Sequence, residues 1–165
     1  MVDFNSLLDE HGSLVLRISW RILGHRADAE DNVQEVFLKA IQIQRRERVL
    51  HWRGLLRRLA TFGALEKLRR RRDHLMLEDV SVVDPGETPD ESAMRRELQT
   101  RLRRAMADLP EREGAVFSLR YFEGMTLSET AKSLGISYAA AGTALSRARG
   151  KLDRVLSRAT TEDER

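Results

Sequence analysis

The segment Thr126-Leu-Ser-Glu-Thr-Ala-Lys-Ser-Leu-Gly-Ile-Ser-Tyr-Ala-Ala-Ala-Gly-Thr-Ala-Leu-Ser-Arg-Ala-Arg149 has the spacing of a helix-turn-helix. Ala131 is small enough for two crossed helices to approach closely there. Four residues on, Gly135 can adopt the positive φ that ends a helix. Ser137 is placed to cap the second helix, and Leu127, Leu134, Ile136 and Leu145 supply an apolar wedge between the two. Modules of this kind lay the second helix in the major groove of DNA, whereas an ordinary helical hairpin would use the same glycine only as a stop.

The rest of the chain favours a polyanionic partner. Its 165 residues suffice for one ordinary domain or two small ones, and its hydrophobic content of 41% suits compact cores. No apolar run approaches the roughly 20 residues that span a bilayer, so membrane insertion is not expected. Asp3, Asp9 and Glu10 stand where a signal peptide needs basic and then apolar residues. The absence of cysteine excludes disulfides and thiolate metal sites, and a cytoplasmic location fits best. The net charge of +3 hides a pattern: residues 1–75 carry 15 Lys/Arg against 10 Asp/Glu, 76–92 carry none against 6, and 93–158 carry 13 against 7. Two basic halves therefore flank an acidic segment.

That segment holds two of the three prolines and a Pro85-Gly86 turn signal without helical apolar period, as a linker would. Outside it, helical periodicity prevails. Leu7, Leu8, Leu14, Val15, Ile18, Ile22 and Leu23 define a first helix stopped by Gly24. Asp28 begins a second, paired with Asp31 in a capping-box-like arrangement, with Ala29, Val33, Val36, Phe37, Ala40 and Ile41 inside. After a basic connection at 44–48, Trp52, Leu55, Leu56, Leu59, Ala60, Ala64, Leu65 and Leu68 define a third, running into four arginines. Leu98, Leu102, Ala105, Met106 and Leu109 form the next stripe; Pro110 opens a helix burying Val116, Phe117, Leu119, Tyr121 and Phe122 before Gly124. The expected fold is all-α: two small helical domains, 1–75 and 93–158, joined by a flexible acidic linker at 76–92 and followed by a tail at 159–165.

Enzyme chemistry has no foothold in these residues. His11, His25, His51 and His74 lack paired metal spacing, and Gly150-Lys151 lacks the preceding glycine and strand of a phosphate loop. No nucleophile has an evident base, so neither catalysis, metal nor cofactor is expected. On the second helix, however, Asp31, Gln34, Glu35 and Leu38 share one face. An acidic, amide-bearing face with an apolar edge suits docking on a basic helix, although a solvated face would look the same.

Residues 26–40, Arg-Ala-Asp-Ala-Glu-Asp-Asn-Val-Gln-Glu-Val-Phe-Leu-Lys-Ala, closely resemble the signature helix of bacterial RNA polymerase sigma factors of the sigma-70 family, extracytoplasmic-function (ECF) group. Trp52–Ala60 with the basic run at 67–72 resembles the helix that follows it, and Leu109–Ser137 resembles the family's C-terminal domain. The resemblance implies an alternative sigma factor that binds core RNA polymerase through its β′ clamp helices and β flap, contacts promoter DNA, and can be held by an anti-sigma factor. By that resemblance Asp31, Gln34, Glu35 and Leu38 meet the clamp helices. Trp52, Arg53, Arg57, Arg58, Lys67, Arg69, Arg70, Arg71 and Arg72 serve minus-10 recognition and melting, where a Trp among arginines offers a stacking platform in a basic groove.

Two departures qualify the match. Phe62 and Glu66 stand where the family usually has Asn and Asp, and Ala140-Ala-Gly-Thr-Ala144 replaces a recognition helix usually carrying Lys and Arg. Alanine and glycine donate to no base edge, so minus-35 contact rests on Tyr138, Thr143, Ser146, Arg147, Arg149 and Lys151. A sigma-like decoy that reads no promoter, and an independent helix-turn-helix regulator, are the rival readings; the second would need a dimer interface, and no long heptad segment offers one.

Overall fold

Apolar residues at three- and four-residue steps, interrupted by glycines able to take positive φ, leave this chain little choice but packed helices. The computed structural model describes residues 3–72 and 89–163 and contains, among them, seven helices: α1 (Phe4–Leu23), α2 (Arg26–Arg46), α3 (Trp52–Arg71), α4 (Pro89–Ala107), α5 (Glu111–Tyr121), α6 (Leu127–Leu134) and α7 (Tyr138–Asp163). The all-α expectation is met. Most of the expected linker, 76–88, lies outside the described residues, and its last part, 89–92, forms the opening of α4.

Helices α1 to α3 pack against one another around a core in which Val15, Ala29, Ala40, Leu56, Ala60, Ala64 and Leu68 are wholly buried. Gly24 ends α1 at φ 62°, its N–H donating to the Trp20 carbonyl. The start of α2 differs from the capping-box expectation. His25 is the cap, its Nδ1 accepting from the Asp28 amide at 3.3 Å, which leaves the Asp28 carboxylate free to meet Arg71 on α3. Deep between the three helices, Asn32 donates through Nδ2 to Ser19 Oγ at 2.8 Å and to the Ala60 carbonyl at 3.1 Å. Gly63 faces that amide; a Cβ there would lie 2.4 Å from Asn32 Oδ1.

The C-terminal helices form a second layer on the first. Met106, Ala107, Leu109 and Ala115 join the same core as α1 to α3, and Leu65 packs where Gly114 leaves room. Polar contacts tie the layers together. Arg17 and Arg21 of α1 both reach the Glu123 carboxylate, at 3.3 and 3.2 Å, and Arg21 also donates to the Phe122 carbonyl. Glu123 is only 4% exposed in its side chain, so this charge is held inside by its two partners. Arg103 donates to the Ile22 carbonyl at 3.2 Å, its guanidinium lying where a side chain on Gly24 would have to be.

Two stripe residues are exposed rather than buried. Leu98 is 54% exposed because α4 turns its small polar residues inward: Ser92 and Thr100 are buried, with Arg96 donating to Ser92 Oγ and Thr100 Oγ1 to the Arg96 carbonyl. Tyr121 is 49% exposed and instead lies against Phe117, ring centroids 4.8 Å apart.

Candidate polymerase-docking and nucleic-acid surfaces

The helix-turn-helix is built as its residues dictate. Thr126 and Glu129 form a complete capping box at the start of α6: Glu129 N–H donates to Thr126 Oγ1 and Thr126 N–H to Glu129 Oε2. Those bonds from the Thr126 backbone and side chain hold the Glu129 carboxyl below its ordinary range. Gly135 closes α6 at φ 65°, and Ser137 Oγ accepts from the Ala140 amide at the start of α7. Between the two helices Leu127 lies over Gly142, where a Cβ would be 3.7 Å from its methyl. Ala131, Ala141, Ala144 and Ala148 are buried, whereas the expected wedge residues Leu127, Leu134, Ile136 and Leu145 are half-buried around them.

This changes the meaning of the alanine-rich recognition helix. Ala141 and Ala144 point into the module, so they take nothing from its outer surface. That surface carries Tyr138, Thr143, Ser146, Arg147 and Arg149, all exposed. Lys151 differs from them: its ammonium pairs with the buried Glu113 carboxylate of α5 at 2.8 Å.

On α3 the expected DNA contacts separate into distinct environments. Arg53 and Arg58 are exposed. Arg57 is half-buried in the cleft where α3 meets the start of α6, beside Gly54, Glu123, Gly124, Met125 and Glu129. Trp52 packs its ring on the core yet also borders an open groove with Gln44, Arg45, Arg46, Glu47, Arg48 and Val49. Its ring thus serves the core while one side stays open to the groove, which adds three arginines, Arg45, Arg46 and Arg48, that the periodicity assigned only to a connection. Phe62 packs against the core, and Glu66 pairs with Arg70.

The basic end of α3 is tied to carboxylates. Arg70 pairs with Glu66 at 2.6 Å, Arg71 with Asp28, and Arg72 with Asp108 of α4 at 2.6 Å. Arg69 is half-buried. Lys67 bonds both Asp31 Oδ2, at 2.6 Å, and Glu35 Oε1, at 2.7 Å. The Lys67 bond and charge hold the Asp31 carboxyl below its usual range. Burial pulls the Lys67 ammonium down, but the two carboxylates outweigh it and the net shift is upward.

The acidic face of α2 is thus a seam with α3 as well as an outer surface. Asp31 and Glu35 remain 58% and 45% exposed in their side chains, with exposed Gln34 between them and Leu38 59% exposed one turn further. Among the described residues no His/Cys/Asp/Glu cluster could hold a metal, and no helix is long and apolar enough to cross a membrane.

The helical bundle thus carries an acidic outer face, a basic groove and a helix-turn-helix, a motif of nucleic-acid-binding proteins. Residues 7–74 match the family model described as sigma-70 region 2, and residues 99–152 match sigma-70, region 4. The chain belongs to the sigma-70 family of RNA polymerase sigma factors, in its ECF group. It is 28% identical over 167 residues to the ECF RNA polymerase sigma factor SigE of Mycolicibacterium smegmatis, covering 98% of this chain and 65% of that one. With SigW of Bacillus subtilis it shares 24% identity over 165 residues, covering 93% and 88%. The fold matches the sigma factor RpoE, solved in complex with the anti-sigma factor NepR from Bartonella quintana, at a TM-score of 0.56 and 18% identity, covering 94% of this chain and 97% of that one. It also matches CnrH, solved with the cytosolic domain of CnrY, at 0.55 and 22%, covering 93% and 87%.

Proposed function

We infer that this chain is an alternative sigma factor: it binds core RNA polymerase and directs it to promoters, the polymerase performing all the catalysis. The observation that carries the reading is the joint occurrence, in order along one chain, of a region 2 and a region 4 match. The surfaces described above have the chemistry that each task needs. Docking falls to Asp31, Gln34, Glu35 and Leu38, whose carboxylates and apolar edge suit the arginine-rich clamp helices of β′. The groove beside Trp52, with Arg45, Arg46 and Arg48, suits an unstacked minus-10 base, and Arg53 and Arg58 suit the backbone of the melted strand. Tyr138, Thr143, Ser146, Arg147 and Arg149 face the minus-35 element from α7, while the second domain engages the β flap.

Two of the three alanines that made the helix look blank, Ala141 and Ala144, belong to its buried side, and Tyr138, Thr143, Ser146, Arg147 and Arg149 remain exposed for contact, which favours an initiator over a decoy. Initiation places the protein in the cytoplasm, where an anti-sigma factor is the partner able to withhold it. Run-off transcription with purified core polymerase on a promoter library tests the reading. Specific transcripts are expected only when this protein is added; tight polymerase binding without initiation from any promoter would favour the decoy.

A further inference from the structure

Two carboxylates one turn apart on a helix repel each other and, left alone, sample many rotamers. Asp31 and Glu35 are such a pair, and Lys67 reaches across from α3 to bond one oxygen of each, at 2.6 and 2.7 Å. The three side chains differ sharply in exposure: Lys67 is 14% exposed, the carboxylates 58% and 45%. The cation is therefore the buried, anchored member and the anions are its outward-facing partners. Turning the Lys67 ammonium toward a nucleic-acid phosphate would strip both carboxylates of their common cation. One helical turn away, Asp28 and Arg71 repeat the cross-link between α2 and α3, fixing the register in which Lys67 lies between its two partners.

We propose that Lys67 is a positioning residue for docking on RNA polymerase rather than a contact to promoter DNA. It holds Asp31 and Glu35 as one rigid acceptor with a residual charge of one, ready for a cationic side chain of the partner. Rotamer freedom that the pair would otherwise lose on docking is already lost in the free protein, so less is forfeited on association. A lone acidic face would gain from removal of the lysine, since its charge would become more negative toward a basic partner. A preorganised face loses, because what the lysine supplies is geometry. The two ideas thus predict opposite signs for one substitution.

The inference rests on the reading of α2 as the polymerase-docking face, and the experiment separates the two. Affinity of the full-length protein for core RNA polymerase is measured for wild type, Lys67→Met, Lys67→Arg, Asp31→Asn/Glu35→Gln and the triple variant, with circular dichroism to confirm the fold of each. Lys67→Met is expected to weaken docking about tenfold, the size of one uncoupled charge-assisted bond. Lys67→Arg should recover much of the loss, and Lys67→Met should add nothing once both carboxylates are neutralised. In the assembled holoenzyme, the salt dependence of promoter binding should be unchanged by Lys67→Met.

Tighter docking of Lys67→Met would overturn the proposal in favour of simple charge competition. A fall of about one in the salt slope of promoter binding would overturn it in favour of a phosphate contact. If Lys67→Met does not fold, Lys67→Gln takes its place: loss of docking that adds nothing to that of Asp31→Asn/Glu35→Gln supports the proposal, and no loss, or a loss that adds to theirs, overturns it. If Asp31→Asn/Glu35→Gln leaves docking unchanged, the docking reading of α2 fails and the proposal with it. If that variant weakens docking and Lys67→Met does not, the proposal alone fails.

Discussion

Gly63→Ala turns the close approach of α2 and α3 into a test with a definite sign. In an isolated helix the substitution is favourable by about 1 kcal/mol. Here the new Cβ would lie 2.4 Å from Asn32 Oδ1, where real Cβ contacts stay beyond 3.0 Å. The amide must retreat, and it is tethered through Nδ2 to Ser19 Oγ and the Ala60 carbonyl, so one bond is lost or the helices spread. Overpacking costs about 1–3 kcal/mol, a buried polar group left unpaired about 1–3 more, and the helix gain offsets about 1, for a net loss of roughly 3 kcal/mol. Urea unfolding of the full chain, followed by far-ultraviolet circular dichroism, reads this directly. Combining Gly63→Ala with Asn32→Ala should cost less than the sum of the two single changes, because the second removes the obstacle met by the first. A Gly63→Ala protein as stable as wild type, or more stable, would refute the argument.

Three further outcomes follow from the same geometry. Glu123→Gln should destabilise the chain by about 1–3 kcal/mol in thermal melts, the range for charge-assisted bonds to a buried carboxylate, discounted because Arg17 and Arg21 are partly exposed. Arg147, exposed on α7, is expected to hold a phosphate rather than a base edge, so Arg147→Ala should weaken binding to all upstream DNA sequences alike and lower the salt slope by about one in titrations of holoenzyme on promoter fragments; a loss confined to one base identity, worth about 1–3 kcal/mol, would contradict it. The Asp31 carboxyl is held low by Lys67, so its contribution to stability is present above the unfolded carboxylate range, near pH 4, and is lost as pH falls through its lower folded value. Melting temperatures below pH 4 should therefore fall less steeply in Lys67→Met than in wild type.

The fold was largely legible because its signals are local. Gly24 and Gly135 end helices at positive φ where the apolar rows stop, and Ser137 caps α7. What escaped was decided between elements. His25 took the cap expected of Asp28 because Asp28 had a distant partner in Arg71, a fact no window of sequence holds. Leu98 looked buried by spacing, but α4 buries Ser92 and Thr100 instead. The candidate surfaces show the same division. Residues 138–149 could be read as a recognition helix, yet which alanines face inward depends on where α6 crosses it. Lys67 reads as one more charge in a basic run until α2 is laid beside it.

The bond network around Glu123 also bears on how the chain reaches this state. Its two arginines stand 106 and 102 residues earlier in sequence, whereas contacts within each layer join much nearer neighbours. Bringing ends that far apart together costs chain entropy of about 4 kcal/mol by the logarithmic loop-closure rule. Contacts of such span lie at the slow end of folding, after local helical pairings have formed. The clasp between Arg17, Arg21 and Glu123 is accordingly expected to close late, between layers whose local pairings come first. On a growing polypeptide it cannot exist until synthesis has passed residue 123, so α1 to α3 must first stand without it.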